Sequence, residues 1–157
     1  MQLNQLLQIL SESESPKIEF KREWYSGAGE LDQKGWGEFL KDIIALANGN
    51  IGYVGQPSYL IIGAADEDPP PRASRKTFHV PPVGMLSDLQ QLRDITLRKL
   101  HSTCSPSIPN LDFQFVEVDP GKNVLVIEIS PPAGLLKLDR DLTTRGMHFR
   151  KGTVLIR

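Results

Sequence analysis

The sequence predicts an α+β fold, a mixed β-sheet flanked by helices. Three observations predict it. Apolar residues recur at helical spacing in three separate stretches. Two alternating stretches meet around Asp119-Pro120-Gly121-Lys122, which marks a hairpin and so an antiparallel pair. One short run, Tyr59-Leu60-Ile61-Ile62-Gly63-Ala64-Ala65, is apolar throughout, as a central strand covered on both faces reads. The resulting order α-β-α-β-α-β-β suits a mixed sheet better than a purely parallel stack.

Each element has its own local reason. Leu3, Leu6, Leu7 and Leu10 give a first amphipathic helix, ended by Ser11 to Pro16. Residues 17–22 alternate polar and apolar, as a half-buried strand does. Gly27, Gly29 and Gly35 place a loop over 23–35. Trp36, Phe39, Leu40, Ile43, Ile44 and Ala47 form a stripe with a 3.6-residue period. It predicts a helix over 33–48 that stops at Asn48-Gly49. Residues 51–57 read as a turn, and 58–65 as the central strand. Residues 69–84 form a Pro-rich basic loop. Ser87 and Gln90 match a capping box, opening a helix over 87–101 whose stripe is Leu89, Leu92, Thr96 and Leu100. After a Pro-containing connection at 105–110 come the hairpin strands 112–119 and 122–130. Residues 144–151 and 153–156 read as terminal strands.

The 157 residues fit one domain spanning 1–157, whole or cut from a longer protein. The formal net charge of −1 carries no global nucleic-acid signal, but the two parts differ. Residues 1–68 hold 5 Lys and Arg against 11 Asp and Glu, a net of −6; residues 69–157 hold 13 against 8, a net of +5. That asymmetry fits an acidic site beside a basic surface, or two surfaces of opposite sign that attract each other. Cys104 is the single cysteine, so no intramolecular disulfide forms and no zinc cluster is indicated. The start lacks a basic signal-peptide region, and the run 59–65 is too short to span a bilayer, so a cytoplasmic protein is expected.

Lys17-Ile18-Glu19-Phe20-Lys21 is the stretch closest to chemistry. Alternation sends Ile18 and Phe20 to one face and Lys17, Glu19 and Lys21 to the other. A carboxylate there can hold a hard cation, and a neighbouring ammonium can hold a phosphate oxygen. Glu14 lies just upstream. The same pattern also fits a solvated strand face laced with ion pairs, and both readings stand at this point.

The motifs in sequence add a resemblance. Glu14-Ser15, Glu19-Phe20-Lys21, the helix end Ile44-Ala45-Leu46-Ala47-Asn48, the strand Tyr59-Leu60-Ile61-Ile62-Gly63 and the ending Phe149-Arg150-Lys151-Gly152-Thr153 together resemble the Schlafen AlbA-like domain. The resemblance spans residues 14–153 and implies a single lobe of that fold. In the family's nucleases three acids hold the metal, and these map to Glu14, Glu19 and Asp66. The resemblance therefore implies Mg²⁺ or Mn²⁺ as cofactor if the chain is catalytic, with Lys21 beside the phosphate. Asp66, after the central strand, is also where loops of mixed sheets gather ligands; Glu67 and Asp68 are alternatives at a shifted register. The segment 50–57 replaces the family's compact Gly-Gly turn. The family's nucleases enclose substrate between two lobes, so one lobe implies a homodimer.

Other classes lack their motifs. No phosphate-binding Gly-x-x-x-x-Gly-Lys-Ser/Thr occurs, and His79, His101 and His148 are scattered without a nucleophile elbow. Basic residues suited to a phosphate backbone are Arg72, Arg75 and Lys76 in the Pro-rich loop and Arg145, His148, Arg150 and Lys151 near the end. Arg93, Arg98 and Lys99 on the third helix read first as a solvated face. The expected function is nucleic-acid-directed, with RNA favoured over DNA and metal-dependent endoribonuclease cleavage of a tRNA-like substrate as leading activity. The alternative is a non-catalytic DNA- or RNA-binding, regulatory or dimerisation module. No membrane partner is expected.

Overall fold

The computed structural model describes residues 1–12, 14–25, 30–49, 55–66, 76–78 and 88–157, with the backbone alone at 65, 66 and 76–78. Its helices are α1 (Leu3–Ser11), α2 (Gln33–Asn48) and α3 (Leu89–Thr103). The main sheet holds β1 (Ile18–Lys21), β2 (Ser58–Ile62), β6 (Leu111–Asp119) and β7 (Lys122–Ile129), in the order β1-β2-β7-β6. β1 runs parallel to β2, and the other neighbours are antiparallel, so the sheet is mixed as expected. Short pairs complete the chain: β3 (Ala64–Asp66) with β4 (Lys76–Phe78), β5 (Cys104–Ser105) with β8 (Lys137–Leu138), and β9 (Leu142–Thr143) with β10 (His148–Phe149).

The alternation along β2 shows why the sheet is covered on both sides. Leu60 and Ile62 point into a large core with Phe39, Ile43 and Leu46 of α2 and Leu92 and Leu100 of α3. Ile61 points the other way, into a smaller core with Leu6, Ile9 and Leu10 of α1 and Phe20 of β1. A strand with two dry faces must be apolar at every position, which is what Leu60-Ile61-Ile62 provides. β1 lies at the sheet's edge. Phe20 joins the α1 core, and Glu19 and Lys21 face α2.

The structure departs from the sequence reading in five places. The strand expected over 58–65 is two strands. Gly63 adopts φ +102°, a conformation that side chains disfavour, and the chain turns there so that Ala64–Asp66 leaves the main sheet for β4. β4 itself falls within the stretch read as loop. The helix expected from Ser87 is capped instead by Asp88, whose Oδ1 accepts from Gln91 N at 2.9 Å, while the Gln90 side chain reaches Asp94. The terminal strands shrink to the β9–β10 pair, and residues 153–156 form no strand. Their backbone is held otherwise: the buried Asn48 carboxamide donates to Leu155 O (2.7 Å) and Leu136 O (3.1 Å) and accepts from Leu136 N (2.7 Å). A side chain thus does the work of a ladder, which no hydrophobic period can reveal. Finally, Lys17 lies on no solvated face. It is 4% exposed, and its Nζ donates to Leu46 O (3.3 Å) and Ala47 O (2.7 Å), satisfying carbonyls at the end of α2.

Candidate functional site

The polar face of β1 is roofed by α2, and a cleft of about 710 Å³ opens between them and the C-terminal segment. Ser15 pairs across a tight turn with Ile18, folding Glu14 back beside β1. There the Glu14 Oε1 accepts from Phe20 N at 3.2 Å. Glu14, Glu19 and Lys21 therefore line one cleft, together with Lys41, Asp42 and Arg157.

Its electrostatics centre on two carboxylates. Glu19 Oε1 lies 3.2 Å from Lys21 Nζ, and Oε2 lies 2.8 Å from Arg157 Nη1. The guanidinium sits off the line of a hydrogen bond, so the buried Oε2 accepts none. Asp42 Oδ2 accepts from the Tyr25 hydroxyl at 2.6 Å and lies 3.3 Å from Lys21 Nζ. Its Oδ1 lies 3.3 Å from Lys41 Nζ, which also holds Glu38 at 2.9 Å. Tyr25 is set in place by packing: its ring lies 5.1 Å from that of Phe39, which also meets Trp24 at 5.1 Å.

The titration shifts follow from this crowding. Burial, then the Asp42 charge, raises Glu19 above its ordinary range, with Lys21 and Arg157 opposing. Burial alone would lower Lys21, but Asp42 and Glu19 outweigh it and raise it. Lys41 is likewise raised, Glu38 and Asp42 overcoming its desolvation. Burial and the Asp42 charge push the Tyr25 phenol well up, so it stays a donor.

The sequence-derived site is placed as follows. Glu14, Glu19 and Lys21 share the cleft. Asp66 ends β3, its backbone opposite Lys76 of β4; both side chains lie outside the described atoms. Arg72, Arg75, Glu67 and Asp68 lie outside the described residues. Arg145, His148, Arg150 and Lys151 gather on and around the β9–β10 hairpin, all exposed. Arg145 N donates to Glu38 Oε1 at 3.1 Å, and its guanidinium lies 3.7 Å from Asp32. The His148 ring bridges Thr143 Oγ1 (2.9 Å) and Asp141 Oδ2 (3.1 Å). Lys151 N donates to Asp141 Oδ1 at 2.8 Å; that bond, with His148, holds the Asp141 carboxyl below its usual range.

Sequence reasoning missed Asp42, Tyr25, Lys41 and Arg157. A signal existed for the first. Glu38 and Asp42 stand four residues apart on one helix, a like-charge spacing that is unfavourable unless a cation lies between. Lys41 is that cation, and Lys21, from a distant part of the chain, adds a second beside Asp42.

Among the described residues, no three Asp, Glu, His or Cys side chains gather as a metal site. The donor set agrees. Glu19 and Asp42 already face Lys21, Lys41 and Arg157, and a divalent cation would meet that positive charge. The described cluster does not fit a resident Mg²⁺ or Mn²⁺. It is a network of paired charges with an open mouth.

The fold is similar to a structure solved in solution by NMR, the N-terminal domain of an ATP-dependent DNA helicase RecG-related protein from Nitrosomonas europaea. The TM-score is 0.50 at 21% identity, over 83% of this chain and 74% of that one. This likeness is one of fold. No curated protein matches the chain. The family described as Schlafen, AlbA_2 matches over residues 14–155, a span that holds the whole main sheet and runs from Glu14 to the Leu155 carbonyl held by Asn48. The chain belongs to the Schlafen AlbA_2 family.

Proposed function

We propose that this chain is a nucleic-acid-directed module that holds a phosphate backbone. Family membership supports a nucleic-acid-related role. One contrast carries the finer reading. Around Glu19 and Asp42 each cation has a carboxylate partner, whereas Arg150 and Lys151 stand exposed beside β10 and form no ion pair among the described residues. Exposed cations unclaimed by carboxylates are what a phosphate backbone engages, through release of its condensed counterions. The test is anisotropy of labelled tRNA, single-stranded RNA and single-stranded DNA over a salt series. RNA is expected to bind more tightly than DNA. Arg150→Ala should weaken binding more at low salt than at high, with the slope of log K on log salt shallower by about 0.7. Absence of binding at about 50 mM salt overturns the reading.

Metal-dependent endoribonuclease cleavage is the second reading. The observation favouring it is that Glu14, Glu19 and Lys21 line one cleft. It requires Glu14, Glu19 and Asp66 to converge on one cation, with Lys21 and Arg157 drawn aside from Glu19. Incubating tRNA with the protein in Mn²⁺, Mg²⁺ or chelator decides it: cleavage abolished by chelator and by Glu19→Gln, with RNA binding retained, establishes the activity. Intact tRNA under all three conditions removes it. A homodimer that faces two lobes across a channel belongs to the same proposal. Sedimentation showing monomer alone at high concentration removes that part.

A further inference from the structure

A second cleft, of about 490 Å³, lies on another side of α2, between its first half, the end of α3 and β9. Its floor is tight by construction. A Cβ on Gly37 would come within 1.8 Å of Thr143 O, so α2 can approach β9 this closely only with glycine there. One wall is Trp36, half-buried, its ring packed 5.9 Å from that of Phe39. Over the indole sits Lys99 Nζ, 4.8 Å from the ring centroid. Beside it Arg140 Nη2 donates to Thr103 Oγ1 at 3.2 Å, which fixes the guanidinium near the C-terminal end of α3. Among the described residues neither Lys99 nor Arg140 pairs with a carboxylate. Asp141 is the one acid of the lining, and its oxygens are already engaged by Lys151 N and His148.

We propose that this cleft is a nucleotide-unit subsite for single-stranded nucleic acid, with Lys99 and Arg140 holding a backbone phosphate beside the Trp36 indole. Two held cations outside any close ion pair suit a phosphate. An aromatic ring next to them suits an unpaired base, and the volume falls within the range of pockets that take a small ligand. A duplex keeps its bases stacked inside and cannot present one to such a cleft. The site deepens the nucleic-acid reading and rests on it for its ligand. It also gives Lys99, read from sequence as part of a solvated helix face, a specific role. A free nucleotide carries the same phosphate chemistry, so the experiment separates the two sources.

Wild type, Lys99→Gln/Arg140→Gln and, as control, Lys122→Gln in the distant β6–β7 turn are titrated with a labelled oligouridylate at about 50 and 200 mM salt. They are also titrated with AMP, read through tryptophan fluorescence. Thermal melts confirm that each variant is folded. The double variant is expected to bind the oligomer about tenfold more weakly, with a log–log salt slope shallower by about 0.7, the value for one phosphate of a single strand. The control should match wild type. Equal affinity and slope for wild type and double variant overturn the subsite and leave the nucleic-acid reading intact. If wild type binds no oligomer, the nucleic-acid reading falls instead. AMP quenching that the double variant loses then assigns the cleft to free nucleotide phosphate. Quenching that it keeps, or no quenching at all, overturns the cleft.

Discussion

The two clefts beside α2 contain similar residues and behave as opposites. In the β1 cleft, the half-buried Lys21 and Lys41, together with Arg157, pair with Glu38 and with Glu19 and Asp42, the last two largely out of water. In the β9 cleft, Lys99 and Arg140 rest on an indole and a hydroxyl and form no ion pair among the described residues. Buried charges that close must be paired, because a lone one forfeits its hydration. Cations at a wetter rim keep theirs and stay available to a ligand. The first cleft is therefore expected to matter to stability, and the second to binding.

Asp42→Asn is the harshest test of that division. Asp42 is the shared acceptor of Tyr25, Lys21 and Lys41 and is almost wholly buried. Its loss should cost about 2 kcal/mol in urea unfolding, because the charged acceptor shared by Tyr25, Lys21 and Lys41 is lost, although Lys21 keeps Glu19 and Lys41 keeps Glu38. A cost near zero would mean that the network is solvated and the contrast false. Lys17→Met is next. It removes the donor to Leu46 O and Ala47 O, and a loss of about 1–2 kcal/mol is expected. Ser58 Oγ, 2.7 Å from Leu46 O, keeps one of those carbonyls satisfied and limits the damage.

A pH series sharpens the comparison further. Glu19 is raised in the folded state by burial and the Asp42 charge. As pH climbs from the ordinary glutamate value to the higher folded value, the unfolded chain releases its proton first, so folding stability falls across that window. Glu19→Gln should flatten this decline, seen by comparing unfolding midpoints along the series. A decline of the same steepness in the variant would place the titrating group elsewhere. The smallest expected effect belongs to the other cleft: Lys99→Gln or Arg140→Gln should shift stability by no more than about 0.5 kcal/mol while binding suffers. A large loss of stability there would make those residues structural.

The site was legible in part, and the boundary follows from chain distance. Glu14, Glu19 and Lys21 lie within eight consecutive residues, and a period of two suffices to put Glu19 and Lys21 on one face. Asp42 and Arg157 reach the same cleft from α2 and from the chain's last residue, and no local pattern links them to β1. The basic hairpin was legible as a cluster because its members are close in sequence. The β9 cleft was not, since Trp36, Lys99 and Arg140 meet only when α2, α3 and β9 pack.

By itself the sequence determined the mixed α+β class, the three helices, the doubly covered strand at Leu60–Ile62 and the hairpin at Asp119–Lys122. These rest on hydrophobic period and turn residues, which act over a few residues. Tertiary structure decided what each polar side chain does. Lys17 became a helix cap, Asn48 a tie between three segments, and Asp42 the counter-charge of two lysines. A polar group's role depends on who arrives to meet it and on how much water remains, and both are settled only when distant elements close together.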